Sequence, residues 1–381
     1  MEDRIYDYWV ATLQDGYLGK LTELVARAGD ARSFYELSES QMRNLGISQR
    51  LADYITDRKK DRDSIKRDYE SLEKKGISYV NHSDKDFPAR LKDIPTPPYG
   101  LFVRGSLPDG SRPKVAVIGS RECSEYGRIM AEYFGGNLAR NGIDIISGMA
   151  WGIDGIAQSA ALAAGGRSYG VLGCGVDITY PSKNMVLYRK LCKNGNGLIS
   201  EYAPGTAAEA RRFPPRNRII SGLCDVLIVV EARAKSGTLI TVDMAIDQGR
   251  TVMVVPGRLT DSLSAGCINL MYQGALPATS IDTVLEQLGM TVTSKRLKRS
   301  RRSECEVAVV EKRDEKRLPE DMKTVAEQLT IDPRSTDEIA ELSGVPVKNV
   351  MIILSKLEME GIAKEIYPGR FVRGDLVLYN R

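Results

Sequence analysis

The stretch from Lys114 to about Leu288 predicts a doubly wound, Rossmann-like α/β fold, on three observations. The apolar, β-branched runs KVAVIG, DIIS, SYGVLG, GLIS, DVLIVVEA, TVMVVPG and GALPA recur along it. Helical patterns separate them, among them GRIMAEYFGGNLARN, GIAQSAALAAG, KNMVLYRKLCKN and LITVDMAIDQG. The runs are near-continuously apolar rather than alternating, which marks parallel strands covered on both faces.

Residues 1 to about 60 predict a small helical domain. LGKLTELVARAG and SFYELSESQMRNLG carry apolar residues at helical spacing, with Gly29 and Gly46 as stops. LGISQRLADYI reads as a helical hairpin turning at Gly46, the outline of a SAM-like or helix-hairpin-helix module. Packing is one use of such a hairpin, and phosphate contact through its backbone N–H groups is another. A charged helix follows over about Arg58 to Lys75. The short strand ISYV and a Pro-rich connection, FPARLKDIPTPPYGLFVRGSLP, lead into the α/β region.

Between Thr291 and about Asp321 the pattern dissolves. KRLKRSRR, Lys295 to Arg302, has six basic residues in eight, which suits a solvated linker and an arm on phosphates alike. From Met322 onward the order is helix, helix, turn, helix, hairpin. STDEIAELSG predicts a capped helix with Ile339 and Leu342 inward. VPVKNVMIILSKLEMEG sets Val350, Ile353, Leu354 and Leu357 on one stripe, and EIYPGRFV reads as a hairpin with a Pro-Gly turn. This is a winged-helix outline. Its last helix carries Lys348, Asn349, Lys356, Glu358 and Glu360, a nearly neutral set that favours protein docking or weak DNA contact over sequence readout. The predicted boundaries are 1–60, 61–290, 291–320 and 321–381.

Composition narrows the function. The 381 residues are 42% hydrophobic and 27% charged, with a net charge of +4 and a pI near 8.6, so the distribution of charge must identify the partner. No signal peptide and no apolar run of membrane-spanning length is visible, which predicts a cytoplasmic protein without membrane contact. The six cysteines are scattered without a C-x-x-C pair, so reduced buried thiols are expected rather than disulfides or a thiolate zinc site. A single histidine, His82, rules out His-rich metal sites. No G-x-S-x-G elbow accompanies it, and a surface-loop role fits it. No metal or cofactor is expected.

Ligands of an open parallel sheet bind beyond the carboxyl ends of its strands. There the sequence places Gly119-Ser120-Arg121, then SGMAWGIDG, GCGVDITYP, SEYAPG leading to ARRFPPRNRIISG, EARAKSGT and PGR. Gly119 permits a tight turn, Ser120 and the loop amides can donate to an oxyanion, and Arg121 adds a fork suited to phosphate. Asp154 is expected as a helix N-cap. Neither a complete G-x-G-x-x-G nor a Walker motif occurs. Arg121, Arg211, Arg212, Arg216, Arg218, Lys235 and Arg258 together carry more charge than one dinucleotide needs and suit an extended polyanion. Phe213 beside two arginines suits stacking on an unpaired base, while packing into the core is the competing role. Arg218 has two roles open to it, phosphate contact and bracing of the fold. Asp177, Glu201, Asp225 and Glu231 form no recognisable catalytic constellation, so bracing is expected of them.

The succession GSR, SGMAWGIDGIAQ, GCGVDITYP, SEYAPG, FPPRNRIISGL, VVEARAKSGTLIT and VPGR resembles the DNA-processing protein A (DprA/Smf) family. The resemblance runs from roughly Ser64 to Leu288, and the two flanking regions match the family's three-part layout. It implies a non-enzymatic role: binding single-stranded DNA as a homodimer formed through the Rossmann domain, easing passage past single-strand binding protein, and loading RecA recombinase during natural transformation. It implies a DNA groove at Gly119, Ser120, Arg121, Arg211, Arg212, Phe213, Lys235, Ser236, Gly237 and Thr238, with either Arg211 or Arg212 in the basic role. Two other readings compete. Nucleotide-processing enzymes of the lysine-decarboxylase-like phosphoribohydrolase type use a P-G-G-x-G-T loop. KSGT resembles half of it, but LITVD follows Thr238. A duplex-DNA regulator led by the winged helix would lose binding on truncation after about Asp321.

Overall fold

The structure, a computed structural model, describes residues 2–13, 20–193, 195–290, 318–330 and 333–374. Met1–Thr291 and Val292–Arg381 form separate compact units.

The first unit is built on a nine-stranded sheet. Its strands are β1 (Ser78–Asn81), β2 (Gly100–Gly105), β3 (Lys114–Ile118), β4 (Asp144–Ser147), β5 (Ser168–Val171), β6 (Gly197–Ser200), β7 (Val226–Val229), β8 (Thr251–Val254) and β9 (Leu276–Pro277). Their order is β1-β2-β6-β5-β4-β3-β7-β8-β9. The run from β6 to β9 is parallel, while β2 pairs antiparallel with both β6 and β1. Every residue of β3 to β7 is buried, as strands covered on both faces require. The Rossmann-like expectation therefore holds for the parallel part.

β2 corrects one reading. GLFVRG lies inside the segment taken as a Pro-rich connection, yet Leu101, Phe102 and Val103 are buried in the sheet. Pro95, Pro97 and Pro98 precede the strand and Pro108 follows it, so none interrupts the ladder.

Helices over Glu2–Thr12, Lys20–Ala28, Ala31–Glu36, Glu39–Asn44, Gln49–Asp57 and Arg62–Lys74 precede and cover β1. Asp30, Ser38 and Ser48 cap three of them by accepting backbone N–H bonds. Their core, with Trp9, Phe34, Met42 and Ile55, continues without a break onto Tyr79, Tyr99 and Phe102 of the sheet edge. Burying each such side chain contributes about 1.5–3 kcal/mol, so helices and sheet edge stabilise one another. Arg4 locks the join, donating to both oxygens of Asp84 at 3.0 and 2.8 Å and to the Tyr69 hydroxyl at 3.0 Å.

The described cysteines Cys123, Cys174, Cys192, Cys224 and Cys267 are all free. Burial raises the thiols, Cys174 to about 11 and Cys224 and Cys267 to about 12, which keeps them protonated and unreactive.

The second unit contains helices Glu320–Ala326, Thr336–Ser343 and Val347–Met359 and a sheet of β10 (Arg334–Ser335), β12 (Arg370–Arg373) and β11 (Ala363–Tyr367) in that order. Val350, Ile353, Leu354 and Leu357 are buried as expected, with Ile339 and Ala340 facing them. Leu342, expected inward, is 54% exposed. At 100° per residue it lies roughly 110° from the face centred between Ile339 and Ala340. The basic run 295–302 lies outside the described residues.

Candidate nucleic-acid interface

β3 is the switch point of the sheet. From it the chain builds β4, β5 and β6 on one side and β7, β8 and β9 on the other, which opens a crevice at the carboxyl ends. Gly119 floors that crevice. A Cβ there would lie 2.8 Å from Ile153 Cγ1 and 3.0 Å from the Glu231 carbonyl, so only glycine fits.

Ser120 differs from expectation. Its N–H donates to the Glu231 carbonyl at 2.9 Å, its hydroxyl donates to the Glu122 carbonyl at 2.8 Å, and its own carbonyl accepts from Ile153 N–H at 3.2 Å. These donors shape the loop and in this geometry do not face a ligand. The residue they present is Arg121, which is exposed and lies 5.7 Å from the Phe213 ring centroid.

Glu231 braces the end of β7. It is buried, and it accepts from Ser124 N–H at 3.0 Å and from the Ser124 hydroxyl. Burial raises its carboxyl, and those bonds oppose the rise. Asp154 is not an N-cap. Gly152 holds that position, while Asp154 sits buried in the first turn and accepts from Gly148 N–H at 3.1 Å. Arg216, also buried, donates to the carbonyls of Gly148, at 3.0 Å, and Val171. Burial pushes Asp154 up and Arg216 down to about 10, with their attraction opposing both shifts. The pair ties the ends of β4 and β5 together.

Phe213 begins the helix Phe213–Leu223, whose next two residues are prolines suited to a first turn. Gly173 lies beneath its ring, where a Cβ would meet Cδ1 at 2.8 Å. Tyr180, 43% exposed, stacks on it with centroids 5.4 Å apart and planes at 29°. Sequence reasoning missed Tyr180, although its neighbours in GCGVDITYP already stood at a strand end. Two aromatic rings and one guanidinium thus share a half-open surface.

The arginines divide. Arg211 is exposed and pairs with Glu209 at 2.7 Å, which holds the Glu209 carboxyl below its usual range. Arg212 is buried, donates to the Ala207 carbonyl at 2.6 Å and pairs with Glu209 at 2.7 Å. Arg218 is buried as well. It grips both oxygens of Glu201 at 2.8 and 2.6 Å and donates to the Thr96 carbonyl at 2.8 Å. Of the seven cations counted along the sequence, Arg212, Arg216 and Arg218 therefore face inward, because carbonyls and carboxylates from distant segments surround them. Arg218 braces the end of β6 and presents no fork to a ligand.

After β7, Ser236 caps the helix Gly237–Asp247 by accepting from Thr238 N–H at 3.2 Å, and its hydroxyl donates to the Thr238 hydroxyl at 3.1 Å. Lys235 and Gly237 are exposed, and a Cβ on Gly237 would meet open space. Among the described residues, neither Arg121 nor Lys235 has a carboxylate partner. The acids are occupied elsewhere: Glu201 by Arg218, Asp225 by Arg90, and Asp177 by Gly205 N–H at 2.8 Å. Among the described residues no three His, Cys, Asp or Glu side chains come together as a metal site, and no helix is long and apolar enough to cross a membrane.

Residues 78–289 match the family model "DNA recombination-mediator protein A", and residues 310–365 match "DprA winged helix domain". The DNA processing protein DprA of Bacillus subtilis is 39% identical over 214 residues, 56% of this chain and 72% of the relative. Protein Smf of Escherichia coli is 35% identical over 306 residues, 79% of each. The X-ray structure of DNA processing protein A from Streptococcus pneumoniae superposes with a TM-score of 0.65 at 34% identity, covering 75% of this chain and 97% of that one. The chain belongs to the DNA recombination-mediator protein A (DprA/Smf) family.

Proposed function

We propose that the carboxyl edge of the nine-stranded sheet binds single-stranded DNA, and that the protein acts as a binding mediator rather than an enzyme. The Arg121–Phe213–Tyr180 cluster carries this reading. It offers a cation without a carboxylate partner and two aromatic faces on an open surface. Phosphates are captured by Arg121, Arg211 and Lys235, and an unpaired base stacks on the rings, a sequence-tolerant grip. Gly119, Ser120, Ser236, Gly237 and Thr238 shape the loops that hold these groups. Arg212 and Arg218 act beneath them.

In the cell, a grip of this kind would hold incoming strands in the cytoplasm, ease their passage past single-strand binding protein and pass the strand to RecA recombinase during natural transformation. A homodimer through the Rossmann-like unit would align two grooves and raise the effective affinity. Tyr272, 94% exposed, and Leu276 on the edge strand β9 offer apolar surface for such pairing. The winged helix, residues 321–381, and the basic run 295–302 would add protein docking or weak phosphate contacts.

The test is fluorescence anisotropy of a labelled oligonucleotide, single-stranded against duplex, across a salt series. Single strands should bind more tightly. With three phosphate contacts per groove, log affinity should fall against log salt with a slope of about −2. Arg121→Ala with Lys235→Ala should flatten that slope and abolish the preference. Equal affinity for duplex and single strand, unaltered in the double variant, would refute the reading.

A further inference from the structure

The loop after β4 holds a tryptophan in solvent. Trp151 is 49% exposed, and Lys183 Nζ lies 5.1 Å from its ring centroid. A large ring is ordinarily buried, and an exposed one beside a cation marks a contact surface. The loop fixes this outcome. Met149, two residues earlier, has φ 55°, a left-handed backbone that residues with a β-carbon disfavour, and its side chain is wholly buried among Leu172, Leu187 and Leu198. Gly152, at φ 85°, presses its backbone onto the loop of Ser120 and Arg121, where a Cβ would lie 2.4 Å from both carbonyls. Trp151 sits between an inward anchor and a close backbone contact, and faces outward.

Its position relates it to the interface. Asn184, next to Lys183, is buried and donates to the carbonyls of Met149 and Ala150 at 2.9 and 3.1 Å. The loop bearing Trp151 is thus joined on one side to the loop of Arg121 and on the other to the loop of Tyr180 and Lys183. Among the described residues Lys183 has no carboxylate partner, so its charge is available to a phosphate.

We propose that Trp151 and Lys183 form a second nucleotide subsite, in which the indole stacks on an unpaired base and the ammonium pairs with the adjoining phosphate. The proposal rests on the single-strand reading above and lengthens its track from the ends of β3 and β7 past β4 to β5. At about 4.8 Å between neighbouring strands, the ends of β7, β3, β4 and β5 span about 14 Å, longer than one nucleotide requires.

The chain has two tryptophans, and Trp9 is only 2% exposed, so quenching of emission by an added strand reports on Trp151. The full-length protein is titrated with oligo-thymidylate about 16 nucleotides long, followed by intrinsic emission and, with a labelled strand, by anisotropy. Emission should fall on binding. Trp151→Phe should lose that quench while retaining most affinity. Trp151→Ala should weaken binding about 5- to 150-fold, and Lys183→Ala should reduce the salt slope by about 0.7. Because Trp151 is exposed, thermal melting should match wild type in each variant. Wild-type affinity in Trp151→Ala with unquenched emission in the parent would overturn the subsite, while loss of binding in Arg121→Ala kept the interface. Absence of any binding by the parent would overturn both.

Discussion

The two ends of the sheet treat charge in opposite ways. The amino edge holds a half-open hollow of about 640 Å³, lined by Arg90, Arg112, Lys114, Asp225 and Arg250 among others. Its cations are answered from within: Arg90 pairs with Asp225, Arg112 with Asp144 at 3.7 Å, Lys114 donates to the Arg112 carbonyl at 2.7 Å, and Arg250 to the Gly222 carbonyl at 2.9 Å. The carboxyl edge differs. It carries Arg121, Lys183 and Lys235 without carboxylate partners among the described residues, and two of these lie over aromatic rings. A hollow by itself therefore does not mark the binding end. A polymer needs an open track of unanswered charge and stacking faces, whereas a cavity whose charges are already paired has little to offer a phosphate.

The largest expected effect separates brace from track within the carboxyl edge. Glu201 and Arg218 are a buried, doubly hydrogen-bonded ion pair. Arg218→Ala takes both of these hydrogen bonds from the buried Glu201 carboxylate and should lower unfolding stability by about 3–5 kcal/mol, measured by chemical denaturation. The strand affinity of the protein that remains folded should be unchanged. A stable Arg218→Ala protein with lost DNA affinity would return Arg218 to the track.

Next comes the contrast between the edges. Phe213→Ala should weaken single-strand binding by about 1–3 kcal/mol, the worth of one stacked base. Arg112→Ala should stay within about twofold of wild type, since Arg112 lies at the amino edge, away from the track, and faces Asp144 at 3.7 Å. Equal losses in both variants, read by anisotropy at one salt concentration, would erase the distinction between the edges.

The sequence makes some of this legible and hides the rest for physical reasons. The parallel strands are legible because continuous apolar runs have few alternatives at that length. GLFVRG is obscured because nearby prolines mimic a connection. Gly119 and Arg121 are legible by position, since a strand end in such a sheet faces the crevice. The arginines after Glu209 are not, because burial depends on Glu201, Gly148, Val171 and Ala207, which only the fold brings near. Ser120 reads as a ligand donor until Glu231 and Glu122 are placed beside it. Tyr180 and Trp151 show the reverse problem: an aromatic in a string of letters defaults to the core, and only the loop's backbone places these two in solvent.

The smallest effect concerns how far the track extends. His82 follows β1, at the carboxyl end of the sheet but three strands beyond β5. Burial lowers its imidazole below the usual value of 6.5, and the charge of Lys92 adds to the fall. A depressed folded value means that the unfolded chain binds the proton more readily. The stability this group contributes is therefore present above 6.5 and is lost as pH falls through the folded value. As the one histidine of the chain, it supplies a single imidazole resonance for an NMR titration. The midpoint should lie below 6.5 in the free protein and move little when a strand is bound, because three strands at about 4.8 Å exceed the screening length of about 8–10 Å. A bound phosphate near the ring would raise the midpoint. A clear upward shift on adding oligo-thymidylate would therefore extend the track across β6 and β2 to the edge of the sheet, and remove the sharp end assigned to it at β5.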